Sequence, residues 1–208
     1  MPSDNLEKQI RESWDESYQD IPTDQIPWET GKPETTLVEI LEKDLIKKGK
    51  ALDVGCGLGT HSIYLAKNGF DITGIDISPT AIEKAKARAE KQDVQVRFLT
   101  GNAYDLKFDD QSFDFVFDRG CFHSLPSNVR SRYILGIYRV LNKEGRYLLL
   151  VFSKSNHEIW MNRFSFEDIR KLFGKHFEIV EEKEVVHTEP FGRKVFLLSV
   201  LMAKISKQ

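Results

Sequence analysis

The stretch LDVGCGLGTH, Leu52–His61, runs from a short apolar segment into a glycine-rich turn. Strand, tight turn and helix N-terminus in that order bring backbone N–H groups and partial positive charge together. A nucleotide site in an α/β fold begins this way. The glycines stand at 55, 57 and 59, spaced G-x-G-x-G, whereas the dinucleotide fingerprint wants G-x-G-x-x-G. Thr60 occupies the place of the third glycine. A pyrophosphate needs backbone approach along two phosphate groups. A helix that starts as early as Thr60 and His61 suits an adenosine-bearing ligand whose tail is a compact amino acid.

Outward from this turn the chain alternates. Strands are expected at Lys50–Val54, Asp71–Ile75, Val94–Leu99, Ser112–Phe117 and Gly145–Phe152. Helices are expected at Thr60–Asn68, Pro79–Lys91 (Ser78 as N-cap, Pro79 at its first position) and Ser127–Leu141. Nearly continuous apolar strands alternating with helices imply a parallel sheet covered on both faces. A helix at Phe166–Phe173 and strands at Phe177–Val186 and Lys194–Lys204 follow. The short connection between the last two favours an antiparallel pair at one sheet edge. The first 45 or so residues read as helix, loop, helix, with Pro22, Pro27 and Pro33 breaking the middle. The expected fold is thus α/β, a doubly wound, mostly parallel seven-stranded sheet with an antiparallel edge strand. Residues 1–48 form an N-terminal helical lid segment, and 49–208 one compact domain.

Composition narrows the partners. The 208 residues carry a net charge of −2, which gives little electrostatic support to a nucleic-acid partner. Lys47, Lys48 and Lys50 read as a solvated helix end. Two cysteines, Cys56 and Cys121, make no disulfide framework and fit a reducing, cytoplasmic setting. The polar, acidic N-terminus is not a signal peptide, and no window of 18 apolar residues crosses a membrane. The histidines at 61, 123, 157, 176 and 187 are scattered, so no metal is expected. A monomer is the expected state.

In open parallel sheets the ligand sits outside the carboxyl ends of the strands. Asp76 follows the second strand, about 20 residues beyond the turn, where a carboxylate can accept both hydroxyls of a ribose. Two such charged hydrogen bonds are worth about 3 kcal/mol or more. Asn102, in Gly101-Asn102-Ala103-Tyr104 after the third strand, offers an amide to an adenine edge.

The turn, "GIDIS" and "GNAYDL" together resemble the class I S-adenosylmethionine-dependent methyltransferases across roughly Lys50–Ser153. The resemblance implies S-adenosylmethionine as cofactor. It implies contacts from Gly55, Cys56 and Gly57 to the methionine part, from Asp76 and Ile77 to the ribose, and from Asn102 and Ala103 to the adenine. Asp53, Asp118 and Trp28 complete the candidate cofactor-binding set. The fourth strand ends in FDRGCFH, Phe117–His123, without the Asn-Pro-Pro-Tyr segment of enzymes that methylate amines in nucleic acid or protein. Instead "FDRG", "IPWETGKP" at Ile26–Pro33 and "FEDIRKLFGKHFEIVEEKEV" at Phe166–Val185 resemble the thiopurine S-methyltransferases and the related thiol and halide methyltransferases. This implies a small-molecule soft nucleophile as acceptor.

Methyl transfer to such a nucleophile is an in-line displacement, in which positioning and exclusion of water carry most of the rate. An ordinary thiol is already a few per cent thiolate near neutral pH, so a strong base is optional. The catalytic candidates are Arg119, holding substrate or cofactor by charge, and His123 as a base. The competing readings are a structural ion pair for Arg119 and a loop histidine packed on Phe122 for His123. Trp28, between Pro27 and Gly31, is read as facing the ligand with cation–π attraction to a sulfonium, and Trp14 as packing the segment onto the sheet. Two other classes stay open: a non-catalytic cofactor-binding module, and a nicotinamide oxidoreductase, which the glycine spacing weakens. Small-molecule oxygen and nitrogen acceptors stay open within the leading class.

Overall fold

The computed structural model describes residues 2–157, 159 and 161–205. Helix α1 (Pro2–Asp20) stops where Pro22 bars Ile21 from the helical region. A 3-10 turn at Thr23–Gln25 and an extended stretch lead to α2 (Thr35–Glu42). The alternating core follows: β1 (Lys50–Val54), α3 (Thr60–Lys67), β2 (Asp71–Asp76), α4 (Pro79–Lys91), β3 (Arg97–Thr100) and β4 (Phe113–Arg119). A four-residue helix α5 (Cys121–Ser124), a 3-10 turn at Ser127–Val129 and α6 (Arg130–Val140) precede β5 (Leu141–Phe152). Helix α7 (Phe166–Phe173) and the hairpin strands β6 (Phe177–Thr188) and β7 (Lys194–Lys204) close the chain.

Among the described residues the seven strands form one sheet in the order β3-β2-β1-β4-β5-β7-β6. Strands β1 to β5 pair in parallel, and β7 is antiparallel to both β5 and β6. The reversed strand therefore lies one place inside the edge, and β6 is the edge itself. Burial alternates as a sheet covered on both faces requires. Phe115, Phe117, Leu148 and Leu150 pack with Leu37 and Ile40 of α2 and Leu65 of α3. Val116, Tyr147, Leu149 and Val151 pack with Tyr133 and Ile137 of α6 and Ile169 and Phe173 of α7. The run Tyr147–Val151 is fully buried, and each large apolar side chain there contributes roughly 1.5–3 kcal/mol of burial energy.

Departures from the expected boundaries have local causes. Strand β3 starts at Arg97, not Val94, because α4 ends in a Schellman cap: Asp93 has φ +53°, and the Asp93 and Val94 amides donate to the Glu90 and Ala89 carbonyls. The expected helix at Ser127–Leu141 divides into a 3-10 turn and α6. The lysine cluster is not a helix end. Helix α2 stops at Glu42, and Lys47 reaches Glu144 across the chain.

The strand order reverses between β1 and β4, whose connections leave in opposite directions, and a crevice opens at their carboxyl ends. Register brings the strand tips level, with Val54 beside Ile75 and Asp118, and Asp76 beside Thr100. Because β7 runs antiparallel, the β6–β7 turn arrives at this same edge of the sheet.

Candidate functional site

The glycine turn is shaped by its neighbours. Gly55, Gly57 and Gly59 all hold positive φ, at +68°, +52° and +76°. A Cβ on Gly55 would come within 2.7 Å of Cys121 Cβ, and one on Gly57 within 2.7 Å of the Tyr18 hydroxyl. Side chains are thus excluded where β1, α1 and α5 converge. A cavity of about 190 Å³ lies over the strand tips there. Gly55, Ile75–Ile77 and Gly101–Tyr104 line it from the β1–β3 side. Arg119–Cys121, His123–Leu125, Leu150 and Phe152 line it from the β4–β5 side.

Asp76 is 7% exposed and is held by its own loop. The Ser78 amide donates to Oδ1 and the Gly57 amide to Oδ2, each at 2.9 Å, so the carboxylate couples the second strand to the glycine turn. Burial raises its pKa to about 6, partly opposed by those amides. Ile77 and Ala103 also line the cavity. Asn102 does too, but its side-chain Nδ2 donates to Glu7 of α1 at 2.7 Å while Oδ1 accepts the Tyr104 amide. Asn102 therefore fastens α1 to the loop after β3 in this conformation, and an adenine would find its side chain engaged.

Four expected contacts sit behind the wall rather than on it. Asp53 is 2% exposed and accepts the Ser62 hydroxyl at 2.6 Å, tying β1 to α3. Burial and the nearby Asp118 and Asp76 charges raise its pKa to about 7. Asp118 is fully buried beneath α5: its oxygens accept the Cys121 and Phe122 amides at 2.8 and 3.0 Å and the Tyr133 hydroxyl, with Tyr147 behind. Burial lifts it to about 7. It anchors the helix that carries Cys121 and His123. Cys56 and the Gly57 amide likewise shape the turn from beneath: the Cys56 amide continues the pairing with β2 by donating to Ile75, and Gly57 holds Asp76.

Arg119 reaches the cavity wall, yet each nitrogen of its guanidinium has a protein partner. Nε donates to Glu34 at 2.7 Å, Nη1 to the Trp28 carbonyl at 3.1 Å and Nη2 to His187 Nε2 at 2.7 Å. His187 Nδ1 lies 3.0 Å from the same Glu34 oxygen. Burial alone would raise the Glu34 carboxyl, but the His187 hydrogen bond and the Arg119 charge more than offset it and hold it at about 2. The ion-pair reading of Arg119 is the one the contacts support. This network joins the extended N-terminal stretch to β4 and β6.

His123 departs from both sequence readings. It lies in α5 and stacks on Phe152, not Phe122, with ring centroids 4.2 Å apart and planes 19° apart. Its Nδ1 accepts the Phe152 amide at 3.2 Å. Burial, with the Arg119 and Arg130 charges, lowers its pKa to about 3. With one nitrogen occupied and so little basicity, the ring does not suit a general base. Burial also pushes the Cys121 thiol well above its usual range, so it is no ready nucleophile.

The N-terminal residues roof the cavity. Ile10, Trp14 and Tyr18 line it from α1 and Pro27 and Trp28 from the extended stretch. Trp28 Nε1 donates to the Tyr18 hydroxyl at 3.1 Å, and Trp14 meets Trp28 edge to face at 5.3 Å. Trp14, expected only to pack, therefore also faces the cavity. The spacing Ile10–Trp14–Tyr18, every fourth residue, carried a legible signal for this helix face. Ile159, Met161, Glu189 and Arg193 line the other side and had no such signal. They arrive through the long turn after β5 and the β6–β7 turn, a long-range consequence of sheet order. Among the described residues no group of three His, Cys, Asp or Glu side chains forms a metal site, and no helix is long and apolar enough to cross a membrane.

Comparison with known proteins agrees with this geometry. Residues 51–145 match a family described as a methyltransferase domain. A 2-heptyl-1-hydroxyquinolin-4(1H)-one methyltransferase of Mycobacteroides abscessus is 30% identical over 155 residues, 72% of this chain and 68% of that protein. Thiocyanate methyltransferase 1 of Brassica oleracea is 25% identical over 147 residues, 70% of this chain and 63% of that protein. A SAM-dependent methyltransferase structure from Methanosarcina mazei superposes with a TM-score of 0.75 at 24% identity, covering 85% of this chain and 100% of its own.

Proposed function

From the chain's membership of the class I S-adenosylmethionine-dependent methyltransferases, we propose that it methylates a small-molecule soft nucleophile, a thiol, thiopurine-like heterocycle or halide, beneath its N-terminal segment. The observation that carries this reading is the roofed cavity, about 190 Å³, whose walls come from the tips of β1–β3 on one side and β4, β5 and the β6–β7 turn on the other. A roofed, mostly apolar cavity of this size favours a compact acceptor over a folded macromolecule.

Bound S-adenosylmethionine supplies a methyl group on a positively charged sulfur. The residues present fit it. Gly55 borders the cavity without a side chain to block it, and Asp76, already oriented by two amides, keeps lone pairs for ribose hydroxyls. Gly55, Ile77 and Ala103 form the wall along the same molecule, while Cys56, Gly57, Asp53 and Asp118 set the shape of the turn and of α5. Trp14, Trp28 and Tyr18 cover the cavity with aromatic rings, which exclude water and attract a cation. Residues 1–48 act as the lid, latched by Arg119 to Glu34 and the Trp28 carbonyl and by Asn102 to Glu7.

A second reading has its own support. The hydroxyquinolone methyltransferase, at 30% identity, is named for a hydroxylated heterocycle, so oxygen remains a competing acceptor atom. A methyl-transfer assay decides, offering thiophenol, a thiopurine, iodide and 2-heptyl-1-hydroxyquinolin-4(1H)-one with S-adenosylmethionine. Methylated thiol with S-adenosylhomocysteine is the expected product. Turnover of the hydroxyquinolone alone would move the acceptor to oxygen, and cofactor binding without turnover of any compound would make the chain a binding module.

A further inference from the structure

His123 lines the β4–β5 side of the cavity and carries a ring nitrogen, Nε2, for which no hydrogen-bond partner occurs among the described residues. Its Nδ1 accepts the Phe152 amide at 3.2 Å. In the neutral ring the proton therefore resides on Nε2. The ring is held in place by its stack on Phe152 and by the Nδ1 bond. Nε2 lies beside Gly120, where a Cβ would stand 3.5 Å from it, and both residues line the cavity.

An N–H held on the cavity wall gains from an acceptor atom brought by a ligand. Leu125, Phe152, Ile159 and Met161 line the same cavity and suit the faces of a flat ring.

We propose that His123 is a specificity-determining residue: its Nε2–H hydrogen-bonds a carbonyl oxygen, N-oxide or unprotonated ring nitrogen of a flat heteroaromatic acceptor, next to the atom that is methylated. The proposal rests on the small-molecule reading above and narrows its acceptor class to neutral or anionic rings that carry such an atom. Simple halides and aliphatic thiols then make poor substrates. The residue sets which molecule is held and where its nucleophilic atom points. It takes no proton.

Two measurements test this. In protein labelled with nitrogen-15 at histidine, long-range proton–nitrogen correlation at pH 7 is expected to show His123 as the Nε2–H tautomer. Its signal, identified by its loss in His123→Gln, is expected to move when methyl thiosalicylate is added with S-adenosylhomocysteine. An Nδ1–H ring, an imidazolium, or a signal unmoved by the probe overturns the proposal. Kinetically, methyl thiosalicylate and thiophenol differ by one carbonyl beside the thiol. The His123→Phe variant keeps a flat ring without the donor and is expected to lower the ratio of their kcat/KM values about tenfold. His123→Gln, which retains an N–H, is expected to recover part of that ratio, and an unchanged ratio in His123→Phe overturns the proposal. Should the Nε2–H signal move while no probe is methylated, the donor role stands and the proposed activity fails.

Discussion

Asp76 carries the most direct consequence at the scale of a single residue. Its two oxygens are oriented by the Gly57 and Ser78 amides, so a ligand's hydroxyls meet an acceptor whose position is already fixed. Removing it in Asp76→Ala is expected to weaken S-adenosylmethionine binding about 100-fold by calorimetry, the value of two hydrogen bonds to a charged group. An unchanged dissociation constant would place the ribose elsewhere. The same carboxyl gives a pH signature. Burial raises its pKa to about 6 in the free protein, and only the ionised form receives two donors. Affinity is therefore expected to rise with pH below about 6, by up to tenfold per pH unit, and to level off above it. Asp76→Asn should flatten that profile.

At the scale of elements, the loop-borne Glu34 binds the N-terminal stretch to β4 and β6. It is 7% exposed and accepts from both Arg119 and His187. Its folded pKa, about 2, lies below the ordinary 4.5. The stabilisation is thus fully present above about pH 4.5 and is lost as pH falls toward 2, an amount on the order of 3 kcal/mol. Urea unfolding of the natural chain and of Glu34→Gln checks this. The variant should be less stable at pH 6, and the gap should close on acidification through that window. A gap independent of pH would mean that the pair contributes nothing through charge. The β6–β7 turn belongs to the same scale, since it brings Glu189 and Arg193 to the cavity, where Arg193 donates to Glu189 at 2.5 Å.

Across the whole molecule, what could be read from the sequence was what depends on local chemistry. The glycine turn, the Ser78 cap with Pro79, and the all-apolar runs at Phe115–Phe117 and Tyr147–Val151 fix strand, turn, helix and two-sided burial within short windows. Asp76 was legible because its place after a strand dictates its surroundings. Asp118 was not: whether a carboxylate at a strand end faces the cavity or caps a following four-residue helix depends on Tyr133, 15 residues away in sequence. His123 escaped for a similar reason, since its tautomer is set by the Phe152 amide, 29 residues on. Arg119 was legible as charged and near the site, but its partners, Glu34 and His187, lie 85 and 68 residues from it.

These scales meet in the crevice between β1 and β4, where one roofed chamber is expected to hold both cofactor and acceptor. A crystal structure of the protein with S-adenosylhomocysteine tests this most directly. The predicted result is a ribose on the Asp76 carboxylate and a sulfur between the Gly55 turn and the Trp14–Trp28 roof, with His123 and Phe152 walling the space beyond it. Density for the ligand at any other place, or a crevice still closed by α1 when the ligand is bound elsewhere, would contradict the account.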